Sequence, residues 1–191
     1  MNKTNQFVIA VYVDNHFGVL SRVTGMFTRR GFNIDSLTVG ETESPKYSRI
    51  TITLSGDGYA KEQMLNQLRK LYPVKKLELL EAEESVRREL CLIKMKHDPK
   101  TRADVMSAVE VFRAKVIDYG VEALSIEVTG EPSKIDAFVS VMKPYGILEM
   151  CRTGVVAMSR GSKCIKDKTD ISSEAEEELP EISENDQRDI F

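Results

Sequence analysis

Seven residues near the start of the chain, Asp14-Asn15-His16-Phe17-Gly18-Val19-Leu20, combine the groups needed to hold a small zwitterion. A strand that ends in a polar turn and enters a helix leaves several backbone N–H groups unpaired at a positive dipole end, and such an end binds carboxylates. Gly18 lets a ligand approach the backbone without meeting a Cβ, and Val19 and Leu20 supply an apolar wall beside it. Asn15 is expected to cap the helix and to turn its amide oxygen toward an ammonium group. The chemistry implied is recognition of an aliphatic α-amino acid. An Asn cap and a Gly are also ordinary furniture of a strand-to-helix turn, so the local pattern alone leaves both readings open.

Equipment for catalysis is missing from the same sequence. His16 and His97 are the only histidines, and they lie in separate halves with no cluster of metal-ligand residues around either. Both read as solvated turn residues, with His16 also placed to touch a ligand. No G-x-S-x-G elbow surrounds a serine, and no glycine-rich phosphate loop follows a strand. Cys91, Cys151 and Cys164 are far apart and lack C-x-x-C spacing, so they read as reduced cysteines rather than a disulfide framework or a metal site. Arg29-Arg30 and Lys75-Lys76 read as solvated pairs. Arg49 projects from the wet face of its strand, where docking to a partner is a second possibility.

The elements that would position the turn follow from periodicity. Residues 7–13 form a β-rich run that is apolar on both faces, as in a central, covered strand. Val19, Leu20, Val23, Met26 and Phe27 then share a helical face, and Gly31 stands where a left-handed C-terminal cap is needed. Residues 33–42 form a strand and 43–46 a turn. Ile50, Ile52 and Leu54 alternate with Arg49, Thr51 and Thr53 as a strand with one wet face. Residues 55–58 are turn chemistry, Met64, Leu65, Leu68 and Leu71 a second helical stripe halted at Pro73, and 74–80 a closing strand. The order is βαββαβ, the ferredoxin-like plan of two helices on one face of a four-stranded antiparallel sheet.

The plan recurs after the charged linker at 81–84. Adding 74 carries Ile50, Ile52 and Leu54 onto Leu124, Ile126 and Val128, Gly56 onto Gly130, and Met64, Leu65 and Leu68 onto Phe138, Val139 and Met142. Residues 90–95 supply a strand, Asp98-Pro99 an N-cap and first-turn pair, and Val105, Ala108, Val109 and Phe112 a helix face. Residues 115–119 and 147–152 complete the second sheet. The fold class is therefore α+β, with two ferredoxin-like units at 1–80 and 81–161 and a tail at 162–191. The halves differ at the first turn, where the second has His97-Asp98-Pro99-Lys100 and no glycine.

The formal charge of −3 is unevenly spread. From Gly161 onward ten Asp/Glu face four Lys/Arg, which leaves the first 160 residues near +3. That acidic, Ser/Glu-rich stretch has too few large apolar residues to offset its chain entropy and is expected to be disordered, a solubilising tail or a docking tail. The near-neutral body gives no electrostatic case for nucleic acid. No apolar run approaches the roughly 18–20 residues of a membrane helix, and no basic-then-apolar leader precedes Phe7, so a cytoplasmic location without membrane contact is expected.

Three runs in the first half, at 14–23, at 26–39 (Gly31-Phe32-Asn33-Ile34-Asp35-Ser36-Leu37-Thr38-Val39 above all) and at 48–52, resemble the N-terminal ACT domain of the acetolactate synthase (acetohydroxyacid synthase) small-subunit family. Arg88-Glu89-Leu90, Phe112-Arg113-Ala114 and the closing Thr153-Gly154-Val155-Val156-Ala157-Met158-Ser159-Arg160-Gly161 resemble that family's C-terminal domain. A lone N-x-x-G-V-L occurs in many ACT domains; the two longer runs are specific. The resemblance implies a non-catalytic regulatory subunit of branched-chain amino acid biosynthesis, which pairs with itself through its ACT domain and binds and activates a large catalytic subunit. Thiamine diphosphate, magnesium and FAD are then expected on that catalytic subunit, with no cofactor in this chain. It further implies feedback by valine or a related amino acid bound between Asn15, Gly18, Val19 and Leu20 of one chain and Asn33 and Ile34 of its partner. His16 and Phe17 depart from the family, which more often has Glu with Pro or Ser there. A free-standing ACT sensor of another enzyme is the main rival, ahead of a small ferredoxin-like enzyme. An RNA-binding sheet would need exposed aromatics that residues 50–54 do not provide.

Overall fold

A computed structural model describes residues 5–168 and Ile171. The first unit runs β1 (Asn5–Asp14), α1 (Val19–Arg29), β2 (Ile34–Glu41), β3 (Tyr47–Gly56), α2 (Gly58–Arg69) and β4 (Val74–Leu80). Its sheet has the order β2-β3-β1-β4, antiparallel throughout, with Ile9 opposite Ile52 and Leu79. Period 3.6 on α1 sends Val19, Val23, Met26 and Phe27 onto Phe7, Ile9, Val11 and Val13 of β1, and α2 adds Met64 and Leu68. Asp57 caps α2 by accepting from the Ala60 amide at 2.8 Å. At the far end of α1, Gly31 takes φ +70, the left-handed cap that the sequence predicts.

The second unit repeats this with β5 (Ser85–Lys96), α3 (Arg102–Val111), β6 (Lys115–Tyr119), β7 (Ala123–Gly130), α4 (Pro132–Met142) and β8 (Ile147–Arg152). Its strand order is β6-β7-β5-β8, with Ile93 opposite Ile126 and Met150. Phe138 and Met142 are buried, as are Met64 and Leu68 at the equivalent places of the first half. Asp98 does not cap α3 as the sequence suggests. Thr101 takes the N-cap position, while the Asp98 carboxylate accepts from the Lys100 amide at 2.9 Å and closes a turn one step earlier.

The larger correction concerns the outer face of the first sheet, the one turned away from α1 and α2. The sequence predicts a wet face on β3, yet Thr51 and Thr53 are 3% and 2% exposed. The cover comes from the far end of the described chain. A strap comprising 153–155, β9 (Val156–Ser159) and a short 3-10 turn (Ile165–Asp167) lies across that face. Val155, Ala157 and Ile165 pack on Val8, Ala10, Tyr12 and Leu80 to make a second, smaller core. β9 pairs with Ser85–Arg88, the first residues of β5, whose remainder is the centre of the second sheet, so β5 is the beam shared by strap and second unit. Arg49 is accordingly half-buried, and its guanidinium donates to the Ala157 carbonyl at 2.8 Å rather than facing water. Burial there lowers its pKa below the usual guanidinium value. Order also runs past position 161, since Ile165 is buried and Lys76 donates to the carbonyls of Lys166 and Lys168. The rest of the acidic tail lies outside the described residues.

Candidate functional site

The turn that starts α1 is gripped by its neighbours. The Asp14 amide donates to Pro73 O at 2.9 Å and the Asn15 amide to Lys46 O at 2.8 Å, which ties it to the loops on either side. Asp14 also pairs with Lys75 at 3.1 Å. Gly18, at φ +85, is the N-cap residue of α1, and no side chain caps the helix. Asn15 therefore does not cap the helix as the sequence suggests. Its Nδ2 donates to Pro45 O at 2.9 Å and approaches Glu41 Oε2 at 3.4 Å. Its amide oxygen has no hydrogen-bond partner among the described residues.

With no cap and no acidic residue in the first turn, the amides of Gly18, Leu20 and Ser21 point from a positive helix end with no hydrogen-bond acceptor among the described residues. No Cβ would meet an obstacle at Gly18, so there is open space above it. Val19 and Leu20 part company. The Val19 side chain is 4% exposed and belongs to the core, whereas Leu20 faces outward at 40%. An apolar wall at this turn would thus consist of Leu20, with Phe17, fully exposed, one residue from the glycine. His16 is exposed, with Nδ1 3.0 Å from Phe17 O. His97 is not a solvated turn residue: its Nδ1 lies 2.6 Å from Gly120 O and its Nε2 3.2 Å from the Tyr119 hydroxyl, which makes it a brace of the second sheet.

Asn33 and Ile34 sit at the other end of the first unit. The 11 residues of α1, at about 1.5 Å rise each, put roughly 16 Å between the Asn15–Leu20 turn and the start of β2. One chain therefore carries both sets of residues that the sequence reading assigns to a ligand site and does not bring them together. β2 is the edge strand of its sheet, unpaired on its outer side among the described residues.

Reading the turn alone misses a second cluster. A cleft of about 510 Å³ opens between the first sheet and the second unit, lined by Asp35, Ser36, Glu89, Asp136 and Arg152 among others. Arg152 makes two bonds to the buried Glu89, at 2.6 and 2.7 Å, and one to Asp136 at 2.8 Å. The hydrogen bonds to Glu89 hold its pKa above even the usual guanidinium value. The next residues cross β2: Thr38 Oγ1 donates to Thr153 O at 2.9 Å and the Val155 amide to Ser36 Oγ at 3.4 Å. The one signal for this in the sequence is the T-G-V-V-A-M-S-R-G run, whose glycine has no turn of the ordinary kind to explain it. No group of three or more His, Cys, Asp or Glu among the described residues could hold a metal ion, and no helix there is long and apolar enough to cross a membrane.

Comparison with known proteins identifies the family. Residues 9–76 match the family model described as an AHAS small subunit-like ACT domain, and residues 88–161 that of the small subunit of acetolactate synthase. A probable acetolactate synthase small subunit of Archaeoglobus fulgidus is 48% identical over 155 residues, which are 81% of this chain and 97% of the relative. The acetolactate synthase small subunit of Mycolicibacterium smegmatis is 47% identical, over 86% of this chain and 96% of its own. The crystal structure of the small subunit from Thermotoga maritima superposes with a TM-score of 0.77 at 39% identity, covering 83% of this chain and 99% of that one.

Proposed function

Since the chain belongs to the family of acetolactate synthase small subunits, non-catalytic regulatory partners of a large catalytic subunit, we propose that it senses a branched-chain amino acid and transmits feedback to that partner. The observation that carries the reading is the uncapped N-terminus of α1, where free amides, the open space over Gly18 and the unengaged oxygen of Asn15 match the carboxylate and ammonium of an α-amino acid. Leu20 of one chain and Ile34 of a second would enclose the aliphatic side chain. The roughly 16 Å between the halves, together with the open edge of β2, argues that two copies pair side by side and so build two pockets.

Valine is the favoured ligand, and the exposed Phe17 at the rim is the residue best placed to set the ranking among valine, leucine and isoleucine. In the absence of the amino acid the chain binds and activates its catalytic partner; the ligand favours a less active arrangement by binding the two unequally. A roughly 100-fold preference would supply about 2.7 kcal/mol of coupling. Thiamine diphosphate, magnesium and flavin belong to the catalytic chain, and the assembly works in the cytoplasm.

The test is Gly18→Asp. It places an anion where the ligand carboxylate belongs, at a φ that aspartate tolerates better than most residues. Reconstituted with the catalytic subunit, this variant should still activate it while half-inhibition moves to at least about tenfold more valine. Unchanged inhibition would remove the site. Calorimetric titration of the purified chain with valine, leucine and isoleucine, repeated on Asn15→Ala, ranks the ligands. A sensor for some other enzyme would bind one of the three yet leave acetolactate synthesis untouched.

A further inference from the structure

We infer that Thr153-Gly154-Val155 is a positioning element for feedback, relaying the state of the amino-acid pocket to the second unit through its seat on β2. The inference rests on the reading of Asn33 and Ile34 as one wall of that pocket. Wall and seat share one short strand. The register of β2 slips between Ile34, opposite Leu54, and Ser36, opposite Thr53, so Asp35 forms a bulge that turns Ile34 toward the helices and Ser36 toward the strap. Such irregularities re-aim side chains beside a site and are where pairing can readjust. Two and four residues beyond Ile34, Ser36 and Thr38 hold the strap by the two hydrogen bonds described above. Gly154 crosses between them at φ +77, so close that a Cβ there would lie 2.8 Å from Ser36 Cβ.

The other side of the same three residues belongs to the second unit. Thr153 and Leu90 exchange bonds in both directions, the Thr153 amide to Leu90 O at 3.0 Å and the Leu90 amide to Thr153 Oγ1 at 3.1 Å. Arg152, immediately before, is clamped to Glu89 of β5 and Asp136 of α4. A displacement of β2 when the pocket fills must therefore either carry the strap, and with it β5 and α4, or break the Ser36 and Thr38 bonds. The neighbouring cleft, lined by Asp35, Glu89 and Arg152, leaves room for such a movement. The physical warrant for coupling is an element whose equilibrium both sites bias, and these three residues join β2 directly to the second unit.

Two measurements test it. Hydrogen exchange on the full chain with and without saturating valine should change at 150–158 and 87–91 as well as at the pocket segments 14–20 and 33–38, with α3 unaffected. A change confined to the pocket segments overturns the relay and leaves the pocket standing. No change anywhere, with no heat of binding, overturns the pocket as well. In the reconstituted holoenzyme, Ser36→Ala and Gly154→Ala should bind valine within about threefold of the native affinity yet lose at least about half the depth of inhibition, a loss of coupling without loss of binding. Thr153→Val should behave likewise and Thr153→Ser should retain full inhibition, which separates a role in the relay from a general loss of structure if Gly154→Ala folds poorly. Full inhibition in Ser36→Ala and Thr153→Val overturns the proposal.

Discussion

The two sheets of this chain share strand order, helix placement and much of their core, and they differ on the face turned away from the helices. In the first sheet that face is interior. Ala10 lies between Thr51 and Glu78, all three buried beneath the strap, and Glu78 accepts from Ser159 at 2.8 Å. At the equivalent place in the second sheet Lys94 lies between Ser125 and Glu149, and its ammonium pairs with Glu149 at 2.8 Å on an open surface beside Leu92, Ile117 and Cys151. A repeated plan has therefore been given two physical roles by what covers it. The unit whose outer face is covered is also the unit with the glycine turn, so the element that carries that turn is bolted to the rest of the chain from behind.

The sharpest way to break the contrast is to end the chain after Arg152. Removing Val155 and Ile165 alone forfeits about 1.5–3 kcal/mol for each buried side chain, enough to lose the cooperative melt in a thermal denaturation experiment. Next, a single charge placed on each outer face should report the difference directly. Ala157→Asp would leave a buried, unpaired carboxylate and should cost roughly 3–5 kcal/mol, whereas Leu92→Asp, on the open face, should stay within about 0.5 kcal/mol by urea unfolding. Equal costs would mean that the strap does not cover the first sheet in solution.

Cysteine chemistry separates the two faces of the second sheet. Burial raises the Cys91 thiol above its ordinary pKa, so at pH 8 it should resist iodoacetamide while Cys151 on the open face and Cys164 on the strap are alkylated; mass spectrometry of the partly labelled chain gives the order. The smallest expected effect is electrostatic. The hydrogen bond from Lys94 lowers the Glu149 pKa, so its stabilising share is present above the ordinary carboxylate pKa and fades as pH falls through the depressed folded value. Full exposure makes that share slight. An NMR titration should find the Glu149 carboxyl below the usual range, and 1 M salt should return it most of the way.

Element order and duplication could be read from the sequence because both rest on local periodicity. The positions carried forward by 74 residues land on equivalent core sites, and Gly31 caps where it must. The apolar character of both faces of β1 was already the trace of a covering layer, though nothing local says which segment provides it. Thr51, Thr53 and Arg49 read as wet because alternation with Ile50 and Ile52 is the signature of a half-exposed strand; only a contact across more than a hundred positions reverses it. In the site, the absence of a Cβ at Gly18 was accessible from residue type, whereas the partners of Asn15 depend on loops at 41–46 that sequence spacing does not bring near. The second wall of the proposed pocket lies beyond any single-chain description.

The strap has a consequence for biosynthesis of the molecule itself. When Leu80 leaves the ribosome every strand of the first sheet has been made, yet Val8, Ala10 and Tyr12 stay uncovered until Val155, Ala157 and Ile165 follow. At roughly 5–20 residues per second that interval is on the order of ten seconds, during which the nascent first unit shows a greasy back to the cell. Any gene fusion that transplanted the N-terminal half alone would make that interval permanent.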